Sequence, residues 1–489
     1  MKDRTNEEGI DPATDKPTDD ARRRGALESR DGGKHGDPQE RTMIEEILEP
    51  ECPKGRDSGM LYNAKPSRTD GAQRSQNLSQ AWKRVKGNKG APGIDGMTVE
   101  DFPAFKQEHW PRIDIAIREG NYRPAPVKRV WIPKADGTKR PLGIPTVLDR
   151  VIQQAVAQVL GPLFEVGFSE YSYGYRPGRS AHQAVAVMEE SWKEGRRHAV
   201  ECDLKSFFDT VNHDRLMGAL REKVRCHKTL GLIRRFLKAG VELPDGTREA
   251  TPQGVPQGGP LSPLLANIVL DPLDKELESR GHKFARYADD FIVTVKSANA
   301  AKRVMASLIR FCEGQLQLIV NRDKSRAAPL KSCAFLGYRL NNRAKLAWTE
   351  KAHHCFKQQI KEITSRNRGH KVQTVIDELN LYVRGWLNYY KLSSTYGEVR
   401  ELAGWIRRRV RLYYWKQWKQ PRTRRRHLLA LGVDPKQVHM ASRCRKGYWR
   451  ASQIEIVRYA LNNRWLEEQG VPDMEAIWKV LHFGSAARV

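Results

Sequence analysis

Two adjacent carboxylates, Asp289 and Asp290, interrupt a run of strand-forming residues in FARYADDFIVTV (residues 284–295). Phe, Tyr, Ile, Val and Thr favour β-structure and Asp is depleted from it. The pair is therefore expected at or near a hairpin turn at Ala288–Asp289, where Asp is acceptable. Acidic turns between strands are common, so a site needs a third carboxylate. The candidate is Asp203 in HAVECDLKSFFDTVNHDRL (198–216), where HAVEC reads as a strand and FDTVNHDRLMGAL as the helix after it. A strand end is where functional residues of sheets gather. Three carboxylates from two neighbouring strands can hold two Mg²⁺ ions roughly 3.5–4 Å apart, one activating a hydroxyl nucleophile and one neutralising a leaving phosphate. Such cations would also offset the repulsion between Asp289 and Asp290.

Other elements must position these groups. VKRVWIPK (127–134) alternates like a strand, and VLDRVIQQAVAQVLGPLFE (147–165) has helical spacing at Val147, Val151, Gln154, Ala155 and Gln158. Ser180, three residues before Gln183, is a capping-box signature for the helix that follows. From Tyr122 to Tyr338 short strands mix with helices; beyond about residue 350 the pattern is helical. Val372, Val375, Ile376, Leu379, Val383 and Trp386 make one apolar stripe, and Val399, Leu402, Ile406, Val410 and Tyr413 another. Dense cations lie on and after the second helix, in IRRRVRLYYWKQWKQPRTRRRH. They are interleaved with Tyr413, Tyr414, Trp415 and Trp418, rings that can stack on bases or fill a core. The interleaving favours nucleic-acid contact.

The balance of charge agrees. A formal net charge of +28 is the electrostatic footprint of a polyanion binder. Residues 1–70 hold 13 Lys+Arg against 17 Asp+Glu, a net of −4, which leaves +32 for residues 71–489. Residues 1–70 read as a disordered polar leader with at most a short helix at MIEEILE (43–49). Seven scattered cysteines without a C-x-x-C pair argue against a disulfide framework or zinc ribbon and fit reduced thiols. His353–Cys355 reads as a helix face. No apolar run approaches the length of a membrane span, and the N-terminus has no apolar stretch of a signal peptide. A cytoplasmic, nucleoid-associated protein is expected, with no signal for an oligomeric state.

The blocks HAVECDLKSFFDTV, TPQGVPQGGPLSPLLANIVLDPLDKEL, ARYADDFIVTV, LQLIVNRDKS and FLGYRL occur in the order of the successive sequence blocks of reverse transcriptases. YRPAPVKRVWIPKADGTKRPLGIPTVLDRVIQQAV and FSEYSYGYRPGRSAHQAV resemble the first of those blocks. KGAPGIDGMT (89–98) resembles the N-terminal extension, and VRGWLNYYKLSSTYGEVRELAGWIRRRVRLYYWKQW (383–418) the thumb/maturase domain X, of bacterial group II intron-encoded reverse transcriptase/maturases. The resemblance runs from about residue 80 onward and is closest to the type without an HNH endonuclease domain.

The resemblance implies an α+β, right-hand polymerase, with fingers and an antiparallel palm sheet flanked by helices, then an all-α thumb. It divides the chain into leader (1–70), N-terminal extension (71–121), fingers and palm (122–345), domain X (346–420) and a basic helical segment (421–489) that contacts DNA or RNA. It implies Asp203, Asp289 and Asp290 as catalytic ligands of two Mg²⁺ ions. Phe208 matches a steric gate against a 2′-hydroxyl, and Lys134 and Arg140 match cations that clamp the triphosphate. Gln257, from the second of two PQG motifs, matches the residue against the nucleotide sugar, and Lys324 a basic palm position for which salt-bridging is an equal alternative. Arg176 and Arg179 are expected near template phosphate, and Arg407, Arg408 and Arg411 on nucleic acid. The implied partners are group II intron RNA, an RNA template, a DNA primer or target, and deoxynucleotides, with no membrane. The implied work is RNA-directed DNA synthesis together with splicing assistance and intron mobility. Two rivals are a host-adopted reverse transcriptase in repair or defence and a splicing cofactor with a vestigial polymerase site. Intact carboxylates and gate argue against the latter.

Overall fold

The computed structural model describes residues 68–133, 137 and 139–484; the leader helix expected at 43–49 lies outside them. The chain divides into two compact units between Leu330 and Lys331.

In the first unit the strands are β1 (Val127–Pro133), β2 (Lys139–Ile144), β3 (His198–Cys202), β4 (Val241–Glu242), β5 (Arg248–Glu249), β6 (Lys283–Tyr287), β7 (Asp290–Val295) and β8 (Arg326–Pro329). One sheet runs β2-β1-β4-β5, built on the antiparallel β1–β2 hairpin. The other runs β6-β7-β3-β8, antiparallel throughout. Phe291 to Val295 are all buried, because helices cover both faces of this sheet, so β7 reads as a continuous apolar run. The one hydroxyl in that run, Thr294, is satisfied by Ser191 from the Ala181–Lys193 helix at 2.9 Å. That helix opens with the expected capping box, Ser180 and Gln183 each bonding the other's backbone N–H. The Val147–Glu165 helix packs on the Arg68–Gly87 helix through a small core containing Ala81, Val85, Phe102, Val147 and Val151.

The helix expected after β3 is broken in two. Phe207–Thr210 is a single turn, Val211 and Asn212 are extended, and the Asn212 side chain caps a new helix, His213–Lys223, by accepting from Asp214 N and Arg215 N. Asn is a strong helix starter, and here its capping geometry wins over the apolar spacing across the break.

In the second unit three short strands, Ala334–Phe335, Tyr338–Leu340 and Leu346–Trp348, precede the helices Glu350–Ile363, Val372–Tyr389 and Tyr396–Gln417. The two expected stripes are buried from Val375 to Trp386 and from Val399 to Tyr413. Ring contacts of 4.8 Å (Trp348–Trp386) and 4.4 Å (Phe356–Trp386) mark the centre of this core. Tyr413, Tyr414, Trp415 and Trp418 are buried in the same core. The expectation that these rings stack on bases is corrected: packing consumes them. No helix among the described residues is long and apolar enough to cross a membrane.

Candidate active site

The site begins with strand register. β3 and β7 pair antiparallel with Cys202 opposite Phe291. Continued by one residue, this register sets Asp203 opposite Asp290, and directly opposed residues share a face. Tyr287 pairs with Asp290, so Ala288 and Asp289 form the two-residue hairpin turn expected from the flanking strand formers. Asp203 and Asp289 are half-buried and Asp290 is exposed. Among the described residues no three His, Cys, Asp or Glu side chains close around one point, so the triad is assembled by register rather than as a finished cage. Its donors are hard carboxylate oxygens, which suit Mg²⁺. The neighbouring Cys202 offers no soft competitor, because burial pushes its thiol up to about 11 and keeps it protonated.

A short turn straps Asp203 in place. Asn321 Nδ2 donates to Asp203 Oδ2 at 3.0 Å and Asn321 N to Asp203 O at 2.8 Å. Asp203 N donates to Ser325 Oγ at 3.0 Å, and Ser325 N returns to Asn321 O at 2.9 Å. Lys324 lies inside this turn with its side chain exposed.

The carboxylate turn is braced by Arg286, which is fully buried. Its guanidinium forks onto Asp274 at 2.7 and 2.5 Å and also donates to Asn267 Oδ1, Ser172 Oγ and the Ala288 carbonyl. Burial pushes the Asp274 carboxyl up and the Arg286 fork opposes that. Ala288 has φ +59°, unusual for a residue with a Cβ. Gly174 packs on it so closely that a Cβ there would lie 2.4 Å from Ala288 N. Arg286 and Asp274 were not singled out from the sequence. The signal available was a cation two residues before the turn, with an acid on the preceding helix.

Of the expected nucleotide residues, Arg140, Gln257 and Phe208 fall on three segments that meet. Arg140 Nε donates to Gln257 Oε1 at 2.8 Å, and Gly143 N to Gln257 O at 2.8 Å, joining β2 to the second PQG motif. A Cβ on Gly258 (φ +124°) would lie 2.4 Å from Gly143 O, so this approach requires glycine. The first PQG motif packs elsewhere. Gly254 and Val255 lie against the Phe208 backbone, with Val255 N donating to Phe208 O at 2.6 Å. His213 holds that loop from behind at 2.7 Å to Gly254 O. Phe208 and Phe207 are both buried and meet edge to face. Lys134 lies outside the described residues.

Arg176 is corrected. Its guanidinium is buried, paired with Glu165 at 2.8 Å and donating to the Ser169 and Ser172 carbonyls, so it braces the fold instead of reaching template. Arg179 pairs with Glu170 at the surface, and that contact holds the Glu170 carboxyl below its ordinary range.

The model of the reverse transcriptase (RNA-dependent DNA polymerase) family matches residues 132–340, and that of the group II intron maturase-specific domain matches residues 353–432. Protein YkfC of Escherichia coli is 33% identical over 54% of this chain and 80% of its own length. The group II intron-encoded protein LtrA of Lactococcus lactis is 36% identical over 52% of this chain and 43% of its own length. The retron Mx65 reverse transcriptase of Myxococcus xanthus is 32% identical over 40% of this chain and 46% of its own length. The chain belongs to the group II intron reverse transcriptase/maturase family. It thus spans most of YkfC but less than half of LtrA. The palm of this reverse transcriptase is the β6-β7-β3-β8 sheet, and domains of the reverse transcriptase family generally use divalent metal ions.

Within the maturase helix Tyr396–Gln417 the three expected nucleic-acid arginines divide. Arg411 is corrected: it is buried, donating to Leu461 O at 2.7 Å and Asn463 Oδ1 at 3.0 Å, and burial lowers its pKa to about 10. Arg407 pairs with Glu475 at 3.3 Å. Arg408 lies over the Trp449 ring, 3.6 Å from its centroid.

Proposed function

We propose that this reverse transcriptase/maturase extends a DNA primer on an RNA template at the turn end of its palm sheet, and that its helical unit binds group II intron RNA to assist splicing and mobility. The observation that carries the polymerase reading is the register that sets Asp203 opposite Asp290, beside a turn fixed from behind by Arg286. Asp203, Asp289 and Asp290 would hold two Mg²⁺, which when bound supply activation of the primer 3′-hydroxyl and neutralisation of the leaving pyrophosphate. The chain's own residues do the positioning. Arg140 and Lys134 take the triphosphate as bidentate and point cations. Gln257, drawn to Arg140, lies against the sugar. Phe208, backed by the first PQG loop, sets the floor under the 2′ position, and Lys324 adds a cation on the strap around Asp203.

Primer extension on an RNA template with deoxynucleotides and Mg²⁺ tests this. The wild type is expected to make cDNA, and Asp289→Ala none, with primer–template binding retained. Extension by Asp289→Ala at the wild-type rate would overturn the site. A Phe208→Val variant is expected to admit ribonucleotides, losing discrimination by about 10²-fold, the scale on which a pocket rejects an added hydroxyl. Intron binding, read in a filter assay, is expected to fall steeply between ~50 and ~200 mM salt as phosphate contacts release counterions.

A further inference from the structure

The helical unit holds a cleft of about 770 Å³, within the size range of small-ligand cavities. It is lined by the cations Lys361, Arg366, Arg409 and Arg450 and by the rings of Tyr448 and Trp449, with no acid among its lining residues. None of the four cations has an ion-pair partner among the described residues, although acids elsewhere in this unit are paired, as Arg368 is with Glu378 at 2.7 Å. Like charges gathered without counter-charge are costly. Burial, with a smaller push from Arg366, depresses the Arg409 guanidinium.

The rings are held ready. Trp449 is exposed, yet its carbonyl is bonded twice, by Ser452 Oγ at 2.8 Å and Arg408 Nη2 at 3.2 Å. The Arg408 guanidinium covers one of its faces, and Arg408 Nε is buried without a hydrogen-bond partner. Tyr448 has Arg366 at 5.3 Å and Lys416 at 5.4 Å from its ring centroid. Arg409 is fixed to the helix end behind the cleft through Thr364 Oγ1 and the Lys361 carbonyl. An isolated anion would leave most of this volume empty and use neither ring. A base inside a duplex presents edges, not a face, so a ring platform serves an unpaired base.

We infer that this cleft binds one unpaired nucleotide of a nucleic-acid strand, its base on the Trp449 and Tyr448 rings and its phosphates on Arg366 and Arg450. The inference deepens the RNA-binding reading of the helical unit and rests on it. It places the stacking surface on the 447–450 turn, outside the residues 353–432 matched by the maturase model.

The test uses the full chain and short labelled oligouridine and oligodeoxyuridine strands carrying a photoreactive 5-iodo base, with crosslinked peptides mapped by mass spectrometry. Crosslinks at Tyr448 or Trp449 are expected. Binding by anisotropy should weaken about tenfold or more in Trp449→Ala and in Arg366→Glu, on the scale of one lost base stack or phosphate contact. Thermal unfolding serves as the folding control, its midpoint expected to stay close to that of wild type in both, with primer extension by the wild type run in parallel. Capture of the RNA strand, the DNA strand or both supports the inference and identifies its source. Crosslinks confined to residues 68–330, or unchanged affinity in both variants, would overturn it while leaving the polymerase reading intact. So would equal competition by a poly-glutamate peptide, which would reduce the cleft to charge alone. Loss of extension in the wild type would sink the polymerase reading and leave the crosslink map standing.

Discussion

The palm turn and the cleft beside Trp449 both gather like charges, and they hold them by opposite means. In the palm, Asp289 and Asp290 sit on a turn whose backing is fully buried and hydrogen-bonded: Arg286, Asp274, Asn267 and Ser172 satisfy one another and hold the Ala288 carbonyl. In the cleft, Arg366, Arg409 and Arg450 gather around the exposed Trp449 ring and the half-buried Tyr448 ring. Bond making at the proposed site would require one geometry of the carboxylates, and the network behind them cannot shift without leaving a buried charge unpaired. The inferred strand-binding surface would tolerate many sequences, for which ring faces and long cations suffice.

The contrast breaks most readily in the palm. Arg286→Met should cost about 3–5 kcal/mol of stability, since it strands the fully buried Asp274, whereas Arg286→Met with Asp274→Leu should recover much of the loss. Denaturant titration reads both. Primer extension separates stability from positioning, because the double variant is expected to fold but to extend more slowly, the Ala288 carbonyl having lost its donor. An Arg286→Met protein as stable as wild type would remove the palm half of the comparison.

The aromatic residues sharpen the other half. Trp415→Ala removes a fully buried ring and should cost about 3–5 kcal/mol. Trp449→Ala removes an exposed one and should stay within about 1 kcal/mol by thermal unfolding. Equal losses would mean that Trp449 is core after all. Smaller again, Gln257→Ala should raise the KM for deoxynucleotide and lower kcat/KM by about tenfold, the cost of about one hydrogen bond to a charged partner, without changing single-strand binding.

The smallest effect is in pH. Burial depresses the His213 pKa below its ordinary 6.5. The unfolded chain therefore binds the proton more readily, and the stability His213 contributes is fully present above pH ~6.5 and lost as pH falls through its folded value. His213→Gln, keeping a donor toward Gly254 O, should flatten the decline of stability below pH ~6.5. An unchanged slope would show that His213 does not report on the loop behind Phe208.

Much of this was legible in the sequence where the signal was local. Strand formers on both sides of Ala288–Asp289 gave the hairpin, Ser180 and Gln183 gave the cap, and apolar spacing gave the two long maturase helices, because each is decided within a few residues. What escaped was decided at long range. Arg176 and Arg411 carry the same charge as Arg179 and Arg408, and only tertiary contacts with Glu165 or Leu461 show which are buried. Tyr413 to Trp418 sit among cations in sequence, yet their helix turns them to the core and leaves the exposed ring to Trp449, some thirty residues on. The two PQG motifs are identical in letters, and only their partners, Phe208 and Arg140, tell them apart.

The strap around Asp203 has a consequence for how the site breathes. Asp203, Asn321 and Ser325 bond one another in a closed circuit, so their amide protons are shielded by the same opening event. They should exchange with solvent deuterium at one shared rate, slower than that of the exposed Lys324 amide between them. That rate is a built-in clock for the proposed metal-binding carboxylate: adding divalent cation and nucleotide should slow Asp203, Asn321 and Ser325 together, giving a readout of site closure before any bond is made.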